Sequence, residues 1–265
     1  MSLKVDHHVH TYYSDGQLSP AEIVEWAYNK GLDQIAITDH DGTGGVKEAA
    51  EAGKLKGITV IPGIEFSTEA ENGVSLHILG YNIDIDNSEL AEACHEIRLK
   101  RQARNEKFLK ALNEEGYALT AEDLLLREGQ DFIGKPIFAR AMVRKGYISE
   151  PAEAFEKIFT SEKLRAIRKE KIPAKRAIEL IGRANGTAVL AHPGLIRNIG
   201  ERGSREYYAN LERLLKSLKK YGLAGMECNY SKHTKEEETR FTKMANKFNL
   251  HITSGSDYHG PDMQE

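Results

Sequence analysis

Asp6-His7-His8-Val9-His10 closes the first apolar run of the chain, and its reading decides the fold. Side chains along a strand alternate between faces, so His8 and His10 are expected to share one side. Two imidazoles so placed can grip one cation. A lone His-x-His on an apolar strand is more often a packed pair than a ligand pair, so the case rests on its company. Asp15 follows in the next loop. Asp39-His40, Glu65, His77, His192-Pro193 and Asp257-Tyr258-His259 each stand at or just past the end of a further strand-like run. This repeated placement predicts a scaffold that gathers strand ends around a metal cluster. Parallel α/β folds do this, since their sites lie at the carboxyl ends of their strands.

Around this stretch the chain alternates strands and helices. The strand over 3–10 leads to a helix that Ser19 caps, Pro20 starts and Glu22 closes in a capping box. A strand over 34–38 delivers Asp39 and His40, and one from Ile58 to Phe66 carries Glu65. Asn72-Gly73 is a hairpin signal, and the returning strand over 75–81 carries His77. A helical, highly charged stretch from about Ser88 to Lys171 then interrupts the rhythm. Within it, Arg98 to Lys110 reads as an exposed helix face, and Thr120, Lys135-Pro136 and Pro151 read as helix starts. The rhythm returns at Pro173, with a strand over 187–191 ending in His192, one over 225–228, and one over 251–254 delivering Asp257 and His259. The expectation is an α/β fold with a small helical insertion domain at 103–168.

The bulk composition narrows the function. A chain of 265 residues, 40% hydrophobic and 29% charged, can bury a large core. Its net charge of -3 supplies no global field for gripping long duplex nucleic acid. No apolar run is long enough for a transmembrane helix, so no membrane partner is expected. The chain enters a strand at once, without a secretory leader, and its two cysteines, Cys94 and Cys228, lie far apart. A cytoplasmic protein with two ordinary thiols is expected.

The candidate ligands are His8, His10, Asp15, His40, Glu65, His77, His192, Asp257 and His259. One zinc-type ion takes three or four protein ligands, so this set suits two or three divalent ions, with a carboxylate such as Glu65 bridging two. Mixed imidazole and carboxylate favour manganese, iron or zinc. Such a cluster makes hydroxide available near neutrality and neutralises charge on a phosphoryl group, which suits hydrolysis. Asp6 and Asp39 read as supports for the ligands. His7 is expected to face away from His8, His95 and His233 to lie in surface contexts, and His251 to start a strand far from the site.

His8-Val9-His10, Thr38-Asp39-His40, Gly63-Ile64-Glu65, Leu76-His77, Ala191-His192-Pro193 and Ser256-Asp257-Tyr258-His259 resemble the motifs of the PHP (polymerase and histidinol phosphatase) family, in their usual order. The resemblance covers nearly the whole chain. It is nearest to stand-alone phosphoesterases that hydrolyse nucleoside 3′,5′-bisphosphates, some of which also trim 5′-phosphorylated oligonucleotides. It implies a distorted (β/α)7 barrel formed by 1–102 and 169–265, with the metals at its mouth. It implies one ion on His8, His10, Glu65 and Asp257, a second on Glu65, His77 and His192, and a third on Asp15, His40 and His259. Metal-bound hydroxide would attack phosphorus, with His192, Asp257 and His259 as the catalytic residues.

The resemblance also implies basic residues for the phosphate. The best matches are Arg140 in Lys135-Pro136-Ile137-Phe138-Ala139-Arg140 and Arg197 in His192-Pro193-Gly194-Leu195-Ile196-Arg197. Leu195 stands where an arginine is expected directly after Gly194, which weakens the case for Arg197. The expected partner is a phosphorylated small molecule or a short oligonucleotide. Three alternatives stay open: a histidinol-phosphate-type phosphatase, a metal amidohydrolase, and a non-catalytic nucleotide-binding module.

Overall fold

In the computed structural model, residues 3–127, 130 and 133–261 are described. Strands β1 (Val5–Val9), β2 (Gln34–Ile37) and the first half of β3 (Thr59–Glu69) pair in parallel. Gly73, at φ 77°, makes the tight turn that sends β4 (Ser75–Tyr81) back antiparallel along the second half of β3. The two-residue β5 (Ile172–Pro173) adds to the far end of β3. Then β6 (Thr187–Leu190), β7 (Gly225–Tyr230) and β8 (His251–Gly255) complete the order β1-β2-β3-β4-β6-β7-β8. A bridge between Val9 and Tyr258 draws the two edges together. There His10 N donates to Tyr258 O at 2.8 Å and Tyr258 N to His8 O at 3.2 Å. The sheet is thus a nearly closed, distorted seven-stranded barrel, as the family motifs implied.

Helices α1 (Pro20–Asn29) and α2 (Val46–Lys56) cover β1 to β3. Ile23, Val24 and Ala27, spaced for one helix face, bury against Ile35 and Ile37. Burying each such aliphatic side chain stabilises the fold by about 1.5–3 kcal/mol. The capping box forms at α1: Ser19 Oγ accepts from Glu22 N at 3.1 Å, and Glu22 Oε2 accepts from Ser19 N at 2.7 Å.

The insertion is built on α3 (Ser88–Glu114), α4 (Lys135–Arg144), and the short α5 (Pro151–Glu153) and α6 (Glu162–Ala166). The expected boundary at residue 103 falls inside α3, which runs unbroken for 27 residues. Leu90 and Ala93 belong to the main core, whereas Phe108 packs edge-on to Phe138 and Phe159, each 5.1 Å away. One helix therefore belongs to both cores. One expectation for this stretch, the helix start at Thr120, is corrected, while the helix expected at Pro151 is present but short. Thr120 caps no helix: its hydroxyl donates to Asp123, and the single turn 122–124 follows Ala121 without a side-chain cap and stops where Leu125 adopts a left-handed φ of 49°. Pro151 starts a three-residue helix that widens into a π turn over 154–158.

Three further helices, α7 (Ala174–Arg183), α8 (Arg205–Lys220) and α9 (Lys235–Lys247), cover β4, β6 and β7 through Ile178, Ile181, Leu211, Leu215 and Phe241. Among the described residues no helix is long and apolar enough to cross a membrane.

Candidate metal centre

The parallel strands present their carboxyl ends at one mouth of the barrel, and the antiparallel β4 presents its amino-terminal half there. This places His77, the third residue of β4, beside residues that follow β2, β6 and β8. Glu65 lies in the middle of the long β3 rather than at its end. It is level with the point where β2 stops, since His40 bridges to it. Register slips between Asp6 and Val9, so β1 carries a bulge. His8 and His10 are both fully buried, their rings 5.1 Å apart. His8 and His10 nevertheless both face Glu65 and Asp257, while His7 bonds Gln34 at 3.0 Å with its ring 5.9 Å from that of Tyr81. His192 (φ 24°) and Asp257 (φ 57°) adopt left-handed backbone that only tertiary contacts sustain.

Glu65 is fully buried at the centre of five imidazoles. Its Oε1 lies 3.4 Å from His8 Nε2, 2.9 Å from His77 Nδ1 and 3.1 Å from His192 Nε2. Its Oε2 lies 3.4 Å from His10 Nε2 and 2.8 Å from His40 Nδ1. Asp257 Oδ1 stands 3.3 Å from His8 Nε2 and 3.1 Å from His10 Nε2. His259 Nε2 lies 3.2 Å from Asp15 Oδ1. Three overlapping groups emerge: His8, His10, Glu65 and Asp257; His10, Asp15, His40 and His259; and His40, Glu65 and His77. His10 and His40 each belong to two of them, while His192 joins through Glu65. The structure therefore brings all nine candidate ligands to one place.

A cation fits this donor set. His8 Nε2, His10 Nε2 and Glu65 Oε2 are buried and make no hydrogen bond among the described residues. Leaving such atoms unsatisfied costs about 1–3 kcal/mol each. The two imidazole nitrogens stand 3.1–3.4 Å from carboxylate oxygens of Glu65 and Asp257, which matches the edge of a tetrahedron whose centre lies about 2.0–2.1 Å from each donor, the bond length of zinc-type ions to nitrogen. Electrostatics agree. Burial holds the His10 imidazole down to about 3, with His259 adding to the effect, so its ring is neutral and has a lone pair to give. Burial also works to neutralise Glu65 and Asp257. The imidazoles around them override it and hold both carboxyls well below the usual range. His259 moves the other way: burial opposes its charge, but the Asp15 carboxylate raises it to about 9.

A second layer of carboxylates holds the ligands. Glu227, fully buried on β7, was missed in the sequence; its only signal was a lone carboxylate within an apolar run. Its Oε1 lies 3.0 Å from His8 Nδ1, and its Oε2 accepts from His192 N at 2.7 Å. Asp39 accepts from Thr11 N, Thr11 Oγ1 and Ser14 Oγ at 2.6–2.8 Å, fixing the loop that carries Asp15. Asp6 accepts from Ser256 N at 2.9 Å, tying β8 to β1. Tyr230 OH donates to Asp257 Oδ2 at 3.1 Å.

Two surface readings are corrected. His233 is buried, and its Nε2 accepts from Gly194 N at 3.1 Å, bracing the turn after His192. In the stretch from Arg98 to Lys110, Arg101 and Arg104 are only 5% and 8% exposed. They lie three residues apart on one face of α3, and that face meets the loop after β2, where Arg101 pairs with Asp41. His95 is exposed and His251 starts β8, both as expected.

The two candidate phosphate-binding arginines part company. Arg140 is half-buried on α4 and lines a cleft of about 200 Å³ with Tyr12, Gln17, Arg127 and Arg144, close enough to Asp15 for their charges to interact. Arg197 is exposed beyond the turn at Pro193–Leu195 and makes no hydrogen bond or ion pair among the described residues. The structure does not bring it to the centre.

A barrel with imidazoles and carboxylates converging on its mouth defines a metal-dependent hydrolase. The chain belongs to the PHP domain family, whose model matches residues 6–231. It is 31% identical to a 5′-3′ exoribonuclease of Haemophilus influenzae, across 98% of this chain and 92% of that protein. It is 30% identical to a 3′,5′-nucleoside bisphosphate phosphatase of Chromobacterium violaceum, across 97% of this chain and 87% of that protein. The solved structure of a Bifidobacterium adolescentis protein assigned as a metal-dependent phosphoesterase superposes with a TM-score of 0.85 at 29% identity, covering 98% of this chain and 89% of that one. The chain is a metal-dependent phosphoesterase.

Proposed function

We propose that the protein removes phosphate from nucleotides in the cytoplasm, with nucleoside 3′,5′-bisphosphates as preferred substrates and short 5′-phosphorylated oligonucleotides as a second class. The observation that carries this reading is the Glu65 carboxylate shared among five imidazoles, the arrangement a bridge between ions requires. The names of the two relatives supply the substrate classes.

Two or three manganese, iron or zinc ions fit the nine side chains. His8, His10, Glu65 and Asp257 would hold one, Glu65, His77 and His192 a second, and Asp15, His40 and His259 a third, with His10 and His40 close enough to serve neighbouring sites. Bound there, the ions would supply a hydroxide nucleophile at neutral pH and neutralise charge on the phosphoryl oxygens. The chain's own residues do the rest. Asp257, His192 and His259 fix the geometry of the reacting centre. Glu227 and Tyr230 hold His8, His192 and Asp257 in place. Arg140 faces the phosphate from the insertion, where its planar fork suits paired contacts to phosphate oxygens.

The test is phosphate release from adenosine 3′,5′-bisphosphate with added Mn²⁺, with AMP as the matched control. Release from the bisphosphate, lost in His192→Ala and Asp257→Ala, is expected. Normal turnover in either variant sinks the mechanism. Release only from 5′-phosphorylated oligonucleotides reverses the order of substrates. Chelator-sensitive binding without turnover on any of them makes the protein a binding module.

A further inference from the structure

Among the described residues, Arg104 is a buried cation without a counterion. It sits on α3 at 8% exposure, and its Nε and Nη1 make no hydrogen bond among the described residues. Its neighbours are cations. The Arg104 Cζ lies 5.9 Å, and the Lys135 Nζ 5.1 Å, from the centroid of the same Phe108 ring. Arg101 stands one turn earlier on the same helix face. Burial, with Arg101 adding to it, holds the Arg104 guanidinium down to about 10. Burial, with Arg104 adding to it, lowers Lys135 as well. The carboxylate that pairs with Arg101, that of Asp41, is already shared with Lys169 at 2.9 Å.

Burying a guanidinium against further cations is unfavourable unless an anion completes the set. The row also has a direction. Arg101 and Asp41 line a cavity of about 280 Å³ together with His40, a residue of the metal centre. The arginine row therefore starts at the wall of that centre and leads away along α3.

We infer that Arg104, with Arg101 and Lys135, forms a subsite for a second anionic group of the substrate, a phosphate that is kept while another is hydrolysed at the metal centre. This rests on the reading of the protein as a nucleotide phosphoesterase, and it names the feature that selects doubly phosphorylated substrates. The guanidinium fork matches a phosphate in two contacts, and the lysine adds a point charge.

The experiment compares Arg104→Met and Arg104→Lys with the native protein, all loaded with Mn²⁺. Three quantities are read: Tm without ligand, the rise in Tm with adenosine 3′,5′-bisphosphate, and KM against kcat for that substrate. Arg104→Met is expected to melt no lower than the native protein, because an uncompensated charge has left the interior. It should nevertheless lose the bisphosphate-induced rise in Tm, with KM increasing about 10- to 100-fold, the worth of a charged hydrogen bond. Arg104→Lys should recover part of both. A fall of several degrees in the unliganded Tm of Arg104→Met makes Arg104 a structural residue and overturns the inference. So does an unchanged KM in that variant while the native enzyme turns the bisphosphate over. If the native protein shows no turnover yet its Tm rises with the bisphosphate through Arg104, the catalytic reading fails and the subsite stands.

Discussion

Glu227 Oε1 lies 3.0 Å from Nδ1 of His8, and this contact between two fully buried side chains joins β7 to β1 across the barrel. Burial opposes a charge on His8, but the carboxylates of Glu227, Glu65 and Asp257 override it and raise the ring well above an ordinary imidazole. With Nδ1 held by Glu227, it is Nε2, facing Glu65 and Asp257, that would give up its proton to an ion. The second oxygen of Glu227 anchors the backbone of His192, so one side chain orders both sides of the centre.

Replacing Glu227 with Gln keeps the shape but removes the charge that orients His8. Manganese affinity is expected to fall about 10- to 100-fold, the usual cost of losing such a support, with the circular dichroism spectrum retained. Equilibrium dialysis against Mn²⁺ measures it. An unchanged affinity means that His8 is oriented by packing alone.

Gly255, at the end of β8, lies against His8 and Glu227. A Cβ there would stand 2.3 Å from His8 Cβ and 2.6 Å from Glu227 Oε1. Gly255→Ala is therefore expected to push His8 off its position, lowering both Tm and metal content per chain. Full metal content by elemental analysis, with a native Tm, would show that β8 shifts without cost.

Chelation should destabilise the protein, because ions that bind only the folded chain add to its stability. At a hundredfold excess over Kd that contribution is about 2.7 kcal/mol. For a domain of this size each kcal/mol moves Tm by roughly 2–4 °C. Melting curves with and without EDTA should differ by about 5–10 °C, and added Mn²⁺ should restore the higher value. Superimposable curves count against ions at this site.

Acid stability has a separate source. The hydrogen bond from Arg202 to Glu237, working against burial, holds the Glu237 carboxyl down to about 2 from an ordinary 4.5. A carboxylate lowered on folding contributes stability that is fully present above about pH 4.5 and is lost as pH falls through about 2. Arg202 is 41% exposed, so solvent screening limits the pair to about 1 kcal/mol. Glu237→Gln should flatten the stability curve between those two values in urea unfolding. The same slope in both proteins would refute the assignment.

Much of this was legible in the chain because it is local. The Ser19 and Glu22 spacing marks a helix start wherever it occurs, and it makes the capping box observed. Strand runs ending in His40, His192 or Asp257 are read from period-two patterning and the residue that follows. Glu227 was not legible, because a carboxylate within an apolar run looks the same whether it supports a histidine or ends a strand. Arg101 and Arg104 were misplaced for a related reason. A charged helix face becomes an interior face only when a distant loop, here the one carrying Asp41, folds over it.

The sequence by itself determined the elements, their α/β order and the residue types delivered at the barrel mouth, since backbone preference and side-chain alternation act over a few residues. The tertiary structure alone decided that Glu65 sits among five imidazoles, that Glu227 reaches His8 across 219 residues, and that Arg104 is buried without an anion among the described residues. Those facts depend on which strand ends become neighbours when the sheet closes, and closure is a property of the whole packed chain rather than of any segment in it.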